Sequence, residues 1–83
     1  MKTDKSAKLV HMANQIADFF ASFPEAEAIA GTAQHLKNFW DPRMRSEITR
    51  YVEAGGAGLH PNALEAVRHL AEAKRQAANQ PTG

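Results

Sequence analysis

Phe39-Trp40-Asp41-Pro42-Arg43-Met44-Arg45 holds the only tryptophan of the chain and its clearest helix punctuation. Asp41 offers a side-chain oxygen to the free amides of a first helical turn, where aspartate is a preferred cap. Pro42 suits the position after it, because the N–H that proline lacks would have had no partner there. One helix therefore ends at Phe39-Trp40 and the next begins at Pro42, with a large aromatic side chain at the corner. Arg43 and Arg45 follow at once, where the field of a helix N-terminus does not favour a cation. They pair with acidic neighbours or face a partner.

The bulk numbers bound the rest. Eighty-three residues make one domain, and a domain of that size buries only about 60–65% of the surface its unfolded chain exposes. With no cysteine there is no disulfide framework, thiolate metal site or cysteine nucleophile, and a cytoplasmic setting fits. Ten basic residues against nine acidic ones give a net charge of +1, without the basic excess expected of a strong non-specific nucleic-acid binder. No apolar run approaches the roughly 20 residues of a membrane span. Met1-Lys2-Thr3-Asp4-Lys5-Ser6 does not read as a signal peptide. Abundant alanine and few β-branched residues point to an all-α fold: an up-down bundle of three to four short helices over residues 1–76, with 77–83 a polar flexible tail.

Upstream of the corner, Leu9, Met12, Ala13, Ile16, Phe19, Phe20 and Phe23 recur at helical spacing. They predict a first helix from about Ser6 to Ser22, capped by Thr3 or Ser6, with Asp4 near its positive end. Val10, Ala17 and Ala21 widen that stripe to about half the circumference, more than the roughly 100° a single core requires. Such a helix is central to its own bundle or partly reserved for another protein. Pro24 ends it. The second helix spans Pro24 or Glu25 to about Trp40, buries Ile29, Ala33, Leu36 and Trp40, and carries Ala28, His35 and Phe39 on its flank. Gly31, in mid-helix at a cost of about 1 kcal/mol against alanine, predicts close approach of another backbone, within the chain or from a partner.

Downstream, the third helix runs from Pro42 to about Glu53 with Met44, Ile48, Tyr51 and Val52 inward. Arg43, Glu47 and Arg50 share one side of it as solvated pairs, and Arg45 lies on the other. Gly55-Gly56 supplies the left-handed stop. Pro61 opens a fourth helix reaching Lys74 or Gln76, with Ala63, Leu64, Val67, Leu70 and Ala71 inward.

The candidate reactive groups do not assemble into a motif. His11, His35, His60 and His69 lack metal-ligand spacing, and His60 reads as the residue leading into the fourth helix rather than a general base. Ser6, Ser22 and Ser46 have no oriented base in sequence. Gly55-Gly56-Ala57-Gly58 lacks the Lys-Ser/Thr ending and preceding strand of a phosphate loop. The second and third helices resemble a helix-turn-helix with Arg43, Arg45 and Arg50 as contacts. Glu47 and Glu53 on the same helix favour a solvated corner instead. Trp40 carries two readings: core, from its place on the buried stripe, and partner hot spot, since Trp and Arg dominate interfaces.

Three blocks carry a family resemblance: Lys8-Leu9-Val10-His11-Met12-Ala13-Asn14-Gln15-Ile16-Ala17 with Phe19-Phe20; Phe39-Trp40-Asp41-Pro42-Arg43-Met44-Arg45; and Gly55-Gly56-Ala57-Gly58-Leu59 with Pro61. In order and content they resemble the delta subunit of NAD-dependent formate dehydrogenase, over about Lys8 to Leu70. The central block is the specific one. His11 and His60 are modest departures from a pattern with a basic residue at the first and Asp or Ser at the second.

The resemblance implies a small accessory subunit of a cytoplasmic, oxygen-tolerant molybdenum or tungsten enzyme. That complex oxidises formate to carbon dioxide and passes electrons through iron–sulfur clusters and FMN to NAD⁺. The metal-pterin, clusters and flavin are expected on the larger subunits and none on this chain. The chain is expected to dock on the large catalytic subunit, supporting assembly, stability or cofactor insertion, without reaction chemistry of its own. Val10, Asn14, Phe39, Trp40, Arg43, Arg45, Gly56 and Gly58 are the expected contact residues, with Ala17 and Ala21 extending the face of the first helix. Spare apolar surface leaves self-association of the isolated chain open. A small nucleic-acid-binding helix-turn-helix protein, and a cofactor chaperone that leaves the mature enzyme, are the alternatives.

Overall fold

Asp41 and Pro42 set the central boundary as the sequence predicts. In the computed structural model, which describes the backbone of residues 5–79 and the side chains of residues 6–76, the Asp41 carboxylate accepts the Met44 amide at 2.9 Å. The described residues form four helices, α1 Lys5–Phe19, α2 Glu25–Phe39, α3 Pro42–Glu53 and α4 Pro61–Asn79, and no strand. The all-α expectation holds.

Two helix ends differ from the sequence reading. α1 stops at Phe19 rather than Ser22, because the approach to Pro24 tightens the backbone. Ala21 donates to the Asp18 carbonyl at 3.1 Å and Phe23 to that of Phe20 at 3.0 Å, the three-residue spacing of a tighter turn. α4 runs on to Asn79, past Gln76. At the other end of the chain, Ser6 lies inside the first turn of α1 rather than before it, and Thr3 and Asp4 lie outside the described residues.

Trp40 is the hinge. Its backbone is extended (φ −95°, ψ 138°), as is that of Asp41. Two extended residues in succession redirect the chain, so α2 and α3 barely touch; α2 packs most extensively on α4, and α4 also packs on α3. This corrects the up-down expectation, in which consecutive helices lie side by side. The shortest extent of the molecule is 22 Å, about two helix layers.

α1 packs on α2, α3 and α4 alike, which explains the breadth of its apolar stripe. Leu9, Ala13 and Ala17 on α1, Leu36 and Trp40 from α2, Ile48 and Val52 on α3, and Ala63 and Val67 on α4 form one continuous core. Alanines 13, 17, 28, 63 and 66 have no exposed surface, and side chains this small let helices approach closely. On α2 the buried row is Ala28, Thr32 and Leu36, one residue around from the predicted Ile29 and Ala33. Thr32 tolerates burial because its hydroxyl donates to the Ala28 carbonyl at 2.8 Å, leaving its methyl to pack.

Within the chain, Gly31 meets a side chain and not a backbone. A Cβ there would lie 2.7 Å from Cε1 of Phe20. The ring of Phe20 lies on the bare helix surface that the glycine leaves.

Candidate functional site

Because α1 ends at Phe19, Phe20 and Phe23 leave the helical phase that would have buried them. Phe19 is 71% exposed and Phe23 45%, while Phe20 packs over Gly31 and meets Phe19 edge-to-face, centroids 5.0 Å apart. Opposite, at the end of α2, Phe39 is 72% exposed and lies beside His35, centroids 4.6 Å apart. Between these two aromatic groups runs a groove of about 550 Å³ floored by Met12, Ile16, Trp40 and Met44. Single exposed apolar residues are ordinary, but a contiguous patch rimmed by polar groups marks an interaction surface. Aromatic residues and methionine are the side chains enriched in protein interfaces.

The expected contact residues separate into three sets. Phe39 stands on the groove rim. Trp40 is 4% exposed, so its ring lies in the core, under the same groove. Val10 packs against the core and Ala17 has no exposed surface; Ala21 is exposed.

Asn14, Gly56 and Gly58 build one structural device on another side of the molecule. The Asn14 amide donates to the Gly58 carbonyl at 2.9 Å, and its oxygen accepts the His60 amide at 2.8 Å. One helical turn on, Asp18 lies 3.8 Å from Nε2 of His60. Tyr51 donates its hydroxyl to the Ala57 carbonyl at 2.7 Å. The glycine stretch is therefore clamped by α1 and α3. Gly56 closes α3 by donating to the Tyr51 carbonyl at 3.0 Å. It adopts φ +66° over Leu64, where a Cβ would collide with that residue's δ-methyl. His60 caps α4 through Nδ1, which accepts the Asn62 amide at 3.0 Å; the ring proton then sits on Nε2, facing Asp18.

The arginines divide as well. Arg45 donates to the Lys37 carbonyl at 2.8 Å, a cation satisfying the negative end of α2. That ties it into the corner and removes one of three contacts proposed for a DNA-reading α3. Arg43 is exposed. Besides the Asp18–His60 contact, the ion pairs among the described residues are Glu65–Arg68 and Glu72–Arg75, so Glu47 does not pair with Arg43 or Arg50 as the wheel suggested.

Among the described residues no three of His, Cys, Asp or Glu gather as a metal site, and no helix is long and apolar enough to cross a membrane. Sequence spacing alone missed Phe19, Phe23 and His35 as rim residues or their neighbours. The signal available was three phenylalanines crowded directly before Pro24, where helical phase cannot be extrapolated.

Residues 8–67 match the family model described as the NADH-dependent formate dehydrogenase delta subunit FdsD. Neither a curated protein nor a solved structure matches the chain. The match covers most of the chain, including most of α1, the aromatic corner, the clamped glycine stretch and the first two turns of α4. The chain belongs to the NADH-dependent formate dehydrogenase delta subunit family.

Proposed function

We propose that this chain is a non-catalytic subunit of a cytoplasmic NAD-dependent formate dehydrogenase. It docks on the large metal-pterin subunit through the α1–α2 aromatic groove, and supports assembly and stability of the complex. Cofactor insertion is a further role of the same contact. The metal-pterin, iron–sulfur clusters, FMN and NAD belong to the other subunits.

The observation that carries this reading is the pair of phenylalanines, Phe19 and Phe39, more than two-thirds exposed on either side of one apolar groove. A chain in this family has large partners available, and covering two such rings stabilises a complex by about 1.5–3 kcal/mol each. The buried Trp40 and half-buried Met44 beneath them give the groove a firm floor, as interface hot spots require.

Affinity purification of the formate dehydrogenase complex from cells expressing this chain tests the proposal. The chain should copurify with the finished, active enzyme at fixed stoichiometry. Copurification with immature, cofactor-free enzyme alone would instead make it a chaperone that departs.

A further inference from the structure

Away from the aromatic groove, α3 and α4 enclose a second one of about 720 Å³. Its rim carries Lys37, Arg45, Arg50, Lys74 and Arg75, against one lining carboxylate, Glu53. Half of the chain's ten basic residues therefore line one groove with one of its nine acidic residues. The local charge is +4 in a chain of net +1, leaving the remainder at −3. Counting Glu72, which pairs with Arg75 at 3.8 Å, the groove stays at +3. No ion pair among the described residues involves Lys37, Arg50 or Lys74.

Between these charges the lining is largely apolar, Pro42, Leu70, Ala71 and Ala73, with the hydroxyl-bearing Ser46 and Thr49 beside them. A basic rim over a floor of small aliphatic groups suits a ligand with carboxylates at its edges and small apolar side chains at its centre. No aromatic side chain lines the groove, whereas single-stranded nucleic acid is held by stacking bases on aromatic rings. A duplex would need a basic face without the apolar trough.

We infer that the α3–α4 groove binds an acidic, apolar-centred segment of a partner protein. The inference rests on charge and shape in this groove and does not require the formate dehydrogenase reading. Together with the aromatic groove it makes the chain two-faced, able to join two surfaces. Paired charges at such a rim steer association and fix orientation more than they add raw affinity, so binding weakens with salt.

The test uses the full chain and a short fluorescein-labelled peptide alternating glutamate with leucine, beside a matched lysine–leucine peptide and oligothymidylate. Fluorescence anisotropy should show saturable, salt-sensitive binding of the glutamate peptide. Amide shifts in nuclear magnetic resonance should cluster at Thr49, Arg50, Leu70 and Lys74. The double variant Arg50→Glu, Lys74→Glu, at two exposed positions, should keep its circular dichroism and lose about tenfold in affinity. The milder Arg50→Gln, Lys74→Gln pair should fall between it and the parent. Arg43→Glu, outside the groove, should bind normally.

The inference is overturned by absence of binding up to about 1 mM peptide, or by equal binding of both peptides. Tighter binding of oligothymidylate, shifts confined to the aromatic groove, or unchanged affinity in the charge-reversed variants would overturn it too. So would a groove occupied by a second copy of the chain, seen as self-association that the charge reversal abolishes.

Discussion

Replacing Asn14 with alanine removes two hydrogen bonds at once, the donation to Gly58 and the acceptance from His60. These bonds span 44 and 46 positions of sequence, so they help hold the fold closed rather than α1 together. A net contribution of about 0.5–1.5 kcal/mol per bond gives about 1–3 kcal/mol for the pair. Asn14 is half-buried, which places the expected loss near the middle, about 2 kcal/mol. A domain of this length has a total stability of roughly 4–12 kcal/mol, so the loss is a large fraction. Thermal unfolding followed by circular dichroism should shift down by about 8–16 °C, and the urea midpoint should fall without a change in slope. Asn14→Asp should not rescue. It keeps an acceptor for the His60 amide but turns a second carboxylate oxygen toward the Gly58 carbonyl, one turn from the like charge of Asp18. Gln15→Ala, at the exposed neighbouring position, serves as control and should stay within about 0.5 kcal/mol of the parent. If Asn14→Ala is as silent as that control, the clamp contributes nothing and the account of the glycine stretch is wrong.

Gly56→Ala should destabilise more than Gly58→Ala in the same melts. Both have positive φ, costing about 1–2 kcal/mol for an L side chain, but a Cβ at Gly56 also meets Leu64 while one at Gly58 meets open space. Trp40→Ala should cost about 3–5 kcal/mol by urea titration, because its ring is buried in the core. Gly31→Ala should leave the melting temperature nearly unchanged: about 1 kcal/mol of helix propensity is gained as the Phe20 ring is displaced. The same variant should weaken partner binding, because that ring belongs to the groove.

Local chemistry made much of this fold legible. Asp41-Pro42, Gly55-Gly56 and Pro61 each act on the backbone within a few residues, and α3 begins and ends where they predict. The breadth of the α1 stripe signalled either a central helix or a docking one; α1 is central, with exposed aromatics at and just past its C-terminal end. What escaped depends on distance or on phase. Asn14 reads as a partner contact, since no sequence pattern joins it to Gly58. Thr32 reads as polar because its satisfying acceptor, the Ala28 carbonyl, is backbone. Phe23 reads as core because helical spacing was carried through a segment where the helix had already tightened and stopped, whereas Phe19, the last residue of α1, shares the predicted stripe yet lies exposed. Arg45 reads as a partner contact for want of a nearby acid, yet its acceptor is the exposed carbonyl end of the preceding helix.

The aromatic groove is tested most directly by titrating the double variant Phe19→Ser, Phe39→Ser against formate dehydrogenase purified without its delta subunit, with the parent chain alongside. Both rings are largely exposed, so the variant should fold and melt like the parent. Its affinity should fall by roughly a thousandfold, the loss of two hot-spot side chains of about 2 kcal/mol each. Binding of the variant as tight as that of the parent would contradict the docking site proposed for this chain.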